Sequence, residues 1–109
     1  MEYLTLSFAG DVLTVKLRNE IDHHIAAGVR EKIDEKMYAL LPRAIVFDLS
    51  EVGFMDSSGL GLVLGRYTKA RELGIEVSIK NPTRRTEKIF RMAGTDKFIK
   101  IIYDKEKKR

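Results

Sequence analysis

The 109-residue chain contains no cysteine and no tryptophan, and it has only two prolines and two histidines. Without cysteine it forms no disulfide bond and offers no thiolate for catalysis or for the usual zinc and iron–sulfur sites. No apolar run approaches membrane-spanning length, and no signal-peptide pattern opens the chain. We therefore expect a cytoplasmic protein that has no membrane partner.

The charge of the chain is mildly positive, with 20 Lys and Arg against 16 Asp and Glu, a formal net charge of +4. Part of this excess lies in residues 105–109, which we predict to be a basic C-terminal tail. Residues 1–104 are enough for one domain with one core, and 44% of the chain is hydrophobic. So mild an excess of positive charge predicts no direct nucleic-acid partner.

Hydrophobic periodicity predicts strands that alternate with helices. Alternating apolar residues over 4–8 and 13–17 indicate a hairpin around Gly10-Asp11, and Asp22 is a good N-cap for the helix that follows. The further elements are a helix over 23–40, a strand over 44–48 with a connection over 49–55, a helix over 57–73, a strand over 76–80, a helix over 84–93 and a strand-like segment over 98–102. This order predicts an α/β fold, a single domain with a mixed β-sheet flanked by helices.

The segment Asp56-Ser57-Ser58-Gly59 stands where a strand gives way to an apolar, glycine-rich helix. Helix N-termini carry free backbone N–H groups and partial positive charge, which suit a hydroxyl cap or a phosphate. The spacing favours one of the two serines as the N-cap of this helix. The alternative is that a serine here is a place where charge is added and removed.

Catalytic and metal-binding patterns are absent from the sequence. Neither the Gly-x-Ser-x-Gly elbow nor a phosphate-binding P-loop surrounds the serines. His23 and His24 are adjacent, so on a helix they point about 100° apart and make poor joint metal ligands. Asp22 and Asp56 alone are not a specific cation site. We expect no enzyme activity, no cofactor and no metal.

The helix over 57–73 contains two glycines one turn apart, Gly61 and Gly65. Each costs about 1 kcal/mol relative to alanine, so they indicate close backbone approach to the sheet or to a partner, and packing on the sheet is favoured. Leu62 lies off the main apolar stripe of this helix. It is a candidate exposed contact residue, with partial burial in the core as the alternative.

Residues 54–67, Phe-Met-Asp-Ser-Ser-Gly-Leu-Gly-Leu-Val-Leu-Gly-Arg-Tyr, resemble the signature of the STAS domain. More narrowly they resemble bacterial anti-sigma factor antagonists, and among these the antagonists of the sporulation anti-sigma-F factor. Residues 20–24, Glu-Ile-Asp-His-His, resemble a second segment of that family, and the resemblance extends to about Tyr103. Asn19 departs from the family, which often has glycine at this position. The chain also stops soon after the last predicted strand, where close relatives have a further helix, so the cover of one face of the sheet is left open.

The resemblance implies a STAS domain over 1–104 and a function in partner switching. Family members bind an anti-sigma factor that is also a serine protein kinase, and they thereby displace the sigma factor. The kinase phosphorylates the first serine of the motif, here Ser57, and a serine phosphatase restores the unmodified protein. The resemblance places Asp56 and the Asp22 loop at the partner-binding surface beside Ser57. With Leu60 and Leu62, which helix geometry suggests, the predicted partner-binding residues are Asp22, His23, Asp56, Ser57, Ser58, Gly59, Leu60 and Leu62. We expect the free protein to be a monomer.

Two other classes of function remain open on the sequence alone. One is a STAS module that senses a nucleotide or small ligand through the same loop. The other is a scaffold component of a stress-regulatory assembly.

Overall fold

A computed structural model of the chain describes residues 2–104. The basic tail predicted over 105–109 lies outside this range. The elements are β1 (Leu4–Ala9), β2 (Val12–Ile21), α1 (His23–Leu40), β3 (Ala44–Met55), α2 (Ser57–Glu72), β4 (Glu76–Lys80), α3 (Arg84–Met92), a 3-10 turn (Thr95–Lys97) and β5 (Lys100–Ile102).

The five strands form one sheet in the order β1-β2-β3-β4-β5. β1 is antiparallel to β2, whereas each later pair is parallel and is joined by a helical crossover. The prediction of an α/β fold with a mixed sheet and an initial hairpin is therefore confirmed. The last strand is shorter than predicted, because the segment over 95–98 turns before it reaches the sheet edge.

The hydrophobic core lies on one face of the sheet. Alternate residues of the central strands are buried there together with the inner residues of the helices, which include Val29, Ile33, Met37, Val63, Ala70 and Phe90. The other alternate residues of β2, β3 and β4 are half-buried and mostly polar, as at Thr14, Lys16, Asp48 and Ser78. This second face therefore contributes little to the hydrophobic core.

β3 is much longer than predicted, and the connection predicted over 49–55 is wrong. This stretch is strand, because β2 also continues and pairs with it as far as Ile21 opposite Met55. Two register shifts interrupt the pairing, each with one extra residue in β3, and the buried residues of this part of β3 recur at intervals of three, as Leu49, Val52 and Met55. Bulges of this kind hide the two-residue period that identifies a strand in a sequence.

The extension of β2 and β3 projects beyond the rest of the sheet. Pairing between β3 and β4 ends at Asp48 opposite Lys80, seven residues before the end of β3. Within the extension, Asn19 has a φ of 67°, in the left-handed region that favours glycine and that asparagine tolerates. Asn19 therefore adopts a backbone conformation that a glycine at this position could also adopt.

A buried ion pair joins α1 to α2. Arg66 Nε lies 2.7 Å from Asp34 Oδ1, and Arg66 is only 4% exposed. Burial lowers the pKa of Arg66, Asp34 opposes this effect, and the positive charge of Arg30 adds to it. Neither Asp34 nor Arg66 was singled out in the sequence, although an arginine inside an apolar helix pattern is a usable signal of a buried pair.

We expect Asp34→Ala to lower the free energy of unfolding by about 2–4 kcal/mol, because it leaves the Arg66 guanidinium buried without its carboxylate. Arg66→Met should cost less, because the Asp34 side chain is 25% exposed and can be hydrated. Urea unfolding of the two variants measures the difference. A larger loss for Arg66→Met would show that the guanidinium is not effectively desolvated.

Candidate functional site

The extension of β2 and β3 brings the N-termini of α1 and α2 to one surface. Ile21 and Met55 are paired, and each is followed by an aspartate and then by a helix. The Asp56 N–H donates to the Ile21 carbonyl at 3.5 Å, which continues the pairing by one step. Two helix N-termini, each with its partial positive charge, therefore lie side by side. We call this surface, formed by Asp22, His23, Asp56 and Ser57, the tip.

Both helices at the tip are capped by aspartate. Asp22 Oδ1 accepts from the Ile25 N–H at 3.1 Å, as predicted. Asp56 Oδ1 accepts from the N–H groups of Ser58 at 2.8 Å and Gly59 at 3.3 Å. The prediction that a serine caps α2 is wrong, because the extended residue that precedes the helix is Asp56, and its carboxylate reaches both N–H groups.

Because Asp56 caps α2, the Ser57 side chain is not needed to stabilise the start of this helix. Ser57 is the first helical residue of α2, it is exposed, and its hydroxyl forms no hydrogen bond within residues 2–104. Ser58 differs, since it is half-buried and faces α1. The two serines therefore have different environments, although they are adjacent in the sequence.

Gly59 allows the first turn of α2 to pack closely against the sheet. It is buried, and a Cβ atom added to it would lie 2.3 Å from Met55 Cγ and 3.3 Å from Ile21 Cγ2. No real Cβ atom makes the first of these contacts, so Met55 would have to shift or α2 would have to tilt. The close approach that the sequence suggested for Gly61 and Gly65 occurs instead at Gly59.

A groove of about 350 Å³ runs between α1 and α2 from the tip. We call it the α1–α2 groove. Its lining includes Ala27 and Arg30 of α1, and Ser58, Gly61 and Gly65 of α2. Cβ atoms added at Gly61 and Gly65 would have no neighbour within 4 Å, so the prediction that these glycines pack on the sheet is wrong.

The two predicted contact leucines of α2 are less accessible than expected. Leu62 is only 4% exposed and lies one turn before Arg66, on the side of α2 that meets α1. Of the two alternatives for Leu62, exposure is wrong and burial is correct, because α2 packs against α1 as well as against the sheet. Leu60 is half-buried and packs against the core.

The predicted partner-binding residues therefore differ in their exposure to solvent. Asp22, His23 and Ser57 are exposed at the tip, and Asp56 is half-buried beside them. Gly59 and Leu62 lie beneath this surface and hold it in place. Within the part of the chain that the structure describes, no three metal-ligating side chains cluster and no helix is long and apolar enough to cross a membrane.

Substitution by alanine should separate the glycines of α2 by their packing. We expect Gly59→Ala to destabilise the fold by about 1–3 kcal/mol through the clash with Met55. The matched change Gly61→Ala should stabilise it by about 0.4–1 kcal/mol, because the added methyl meets no atom and alanine favours the helix. Chemical denaturation measures both, and effects of the same sign would contradict the packing described here.

Removal of the capping carboxylate should distinguish Asp56 from Ser57. Asp56→Ala is expected to cost about 1 kcal/mol of stability through loss of the two N–H acceptor contacts. Ser57→Ala should change stability by less than about 0.5 kcal/mol, since the exposed hydroxyl has no partner. Thermal melting of the two variants provides the comparison. A loss at Ser57 that matches the loss at Asp56 would show that the serine is a cap after all.

Comparison with known proteins agrees with this architecture. Residues 3–108 match the family model of the STAS domain. The anti-sigma F factor antagonist of Paenibacillus polymyxa is 39% identical over 95 residues, which cover 87% of this chain and 80% of the relative. The structure of the anti-sigma factor antagonist SpoIIAA in its unphosphorylated form matches with a TM-score of 0.83 at 27% identity, over 94% of this chain and 89% of that one. The phosphorylated form of the Bacillus cell fate determinant SpoIIAA matches with a TM-score of 0.77 at 27% identity, over 94% of this chain and 92% of that one. The chain belongs to the STAS domain family.

Proposed function

We propose that this protein is an anti-sigma factor antagonist whose binding is switched off by phosphorylation of Ser57. The observation that carries the proposal is an exposed serine hydroxyl with no structural task, placed where two aspartate-capped helices begin. The similarity to an anti-sigma F factor antagonist, and to SpoIIAA in both its phosphorylated and unphosphorylated forms, supports it.

In the proposed cycle the protein acts in the cytoplasm and docks its tip on an anti-sigma factor, which then releases its sigma factor. The anti-sigma factor is also a serine protein kinase. It transfers the γ-phosphoryl group of ATP to Ser57 Oγ: a P–O bond to Oγ forms, the bond to ADP breaks, and the hydroxyl proton is lost. A serine phosphatase hydrolyses the phosphoserine and restores the antagonist. This chain is the substrate in both reactions and supplies no catalytic group.

The charge of the tip explains how phosphate would end binding. Asp22 and Asp56 give the unmodified tip two carboxylates, and phosphoserine adds roughly −1.5 to −2 more charge at pH 7. Asp56 Oδ1 already occupies the N–H groups of Ser58 and Gly59, so these are not available to neutralise the phosphate. The negative charge of the tip therefore about doubles.

A partner surface that fits the unmodified tip would meet this added charge at close range. Like-charge repulsion and desolvation at such a contact cost several kcal/mol, and each 1.4 kcal/mol is about tenfold in affinity. The fold itself should tolerate the phosphate, because Ser57 is exposed and its hydroxyl holds nothing in place. Binding changes while the backbone does not.

Exposure also favours Ser57 over Ser58 as the acceptor. The Ser58 N–H is bonded to Asp56, and its side chain faces the α1–α2 groove rather than open solvent. Ser58 is half-buried beside α1, whereas Ser57 is exposed on the first turn of α2 and is more accessible to a kinase.

The test is incubation with the anti-sigma F factor of Paenibacillus polymyxa and ATP, followed by mapping of the phosphosite by mass spectrometry. We expect phosphate on Ser57 in the unaltered protein and in Ser58→Ala, and none in Ser57→Ala. Ser57→Ala should bind the anti-sigma factor and resist being switched off. Ser57→Asp should fold and bind at least about tenfold more weakly. Phosphate on Ser58 alone, or on neither serine, would contradict the proposal.

A further inference from the structure

The α1–α2 groove is kept open by glycines that the fold does not require. Gly61 and Gly65 lie inside α2, where glycine destabilises a helix relative to alanine. A methyl group at either position would touch no atom of the described chain within 4 Å. Packing within the described chain therefore does not explain why α2 has glycine at both of these positions, one turn apart.

Positive charge lines this groove. Arg30 is exposed, and within residues 2–104 it has no carboxylate within ion-pair distance. Arg66 also lines the groove with a side chain that is 5% exposed, and it lies close enough for the charge of Arg30 to act on it. Asp34, which holds Arg66 Nε, is not among the groove's lining residues. Arg66 is already paired with Asp34, so the charge that the groove offers to a negatively charged group is that of the exposed Arg30.

The groove is continuous with the tip. His23 and Ser58 line it, and each of them is part of the tip or adjacent to it in sequence. A partner that covers Ser57 would therefore also cover the mouth of the groove. The tip itself carries the carboxylates of Asp22 and Asp56, so one continuous surface changes from negative to positive along its length.

We propose that the α1–α2 groove receives an acidic segment of the anti-sigma factor, with a carboxylate opposite Arg30 and main chain or small side chains against Gly61 and Gly65. This inference rests on the proposed function. The change of sign between tip and groove fixes the orientation of the bound partner, because a reversed partner would place like charges together at both ends. That orientation sets the partner's kinase site over Ser57.

Charge reversal on α1 tests the electrostatic part of the proposal. Arg30→Glu is expected to weaken binding of the anti-sigma F factor of Paenibacillus polymyxa by about tenfold or more, with a smaller loss at high salt. Lys32→Glu is the matched control, because Lys32 is exposed on the same helix and does not line the groove. It should change affinity by less than about twofold. Equal losses for the two variants would overturn the proposal.

Filling the groove tests the steric part. Gly65→Ala should raise the melting temperature by roughly 2–8 °C, because alanine favours the helix. The same variant should bind about tenfold more weakly, because its methyl occupies the space taken by the partner. A more stable protein that binds less well cannot be explained by misfolding. Unchanged affinity in Gly65→Ala would overturn the proposal.

The unaltered protein separates failure of this inference from failure of the proposed function. Absence of its binding to the anti-sigma factor, or of phosphate on Ser57, would contradict the proposed function and the groove's role with it. Normal binding and phosphorylation, together with unaltered affinity in Arg30→Glu and Gly65→Ala, would contradict the groove's role alone.

Discussion

Parallel pairing of β2 with β3 continues for seven residues of β3 beyond the point where β4 ends, and the candidate site depends on this extension. The pairing ends at Ile21 opposite Met55, so the two following helices must begin at the same place. Their aspartate caps, their partial positive charges and the exposed Ser57 are brought together by the sheet rather than by any bond among themselves. The helices then run back side by side over the core, and the space between them is the α1–α2 groove.

Much of the fold could be predicted because its signals are local. Regular apolar spacing identified α1 and α2, alternation identified the hairpin and β4, and the break at 81–83 together with Gly94 delimited α3. The extension of β3 escaped prediction because two bulges within β3 changed its period of burial from two residues to three. The cap of α2 was misassigned because aspartate and serine are both good caps, and only the backbone geometry decides which residue precedes the first turn.

The position of the candidate site could be predicted from the sequence, but the burial of its individual residues could not. The resemblance of residues 54–67 to the STAS signature identified Ser57, and aspartates before both helices were visible in the sequence. Whether Leu62 is exposed depends on the spacing of α1 and α2, which the contact between Asp34 and Arg66 helps to set. That contact joins residues 32 positions apart in sequence. The apolar neighbourhood of Arg66 indicates that it is buried with a partner, but it does not identify Asp34 as that partner. Long-range packing of this kind separates surface residues from the residues that support them.

Because Asp56 rather than a serine caps α2, the integrity of the helix does not depend on the modification state of Ser57. A molecule that passes repeatedly between the two states should need no refolding and should wait for no slow rearrangement of its chain. Each phosphorylation would then change the charge of the tip and would store no strain in the fold. In the proposed cycle, the response time would then be set by the kinase and the phosphatase rather than by a conformational change of this chain.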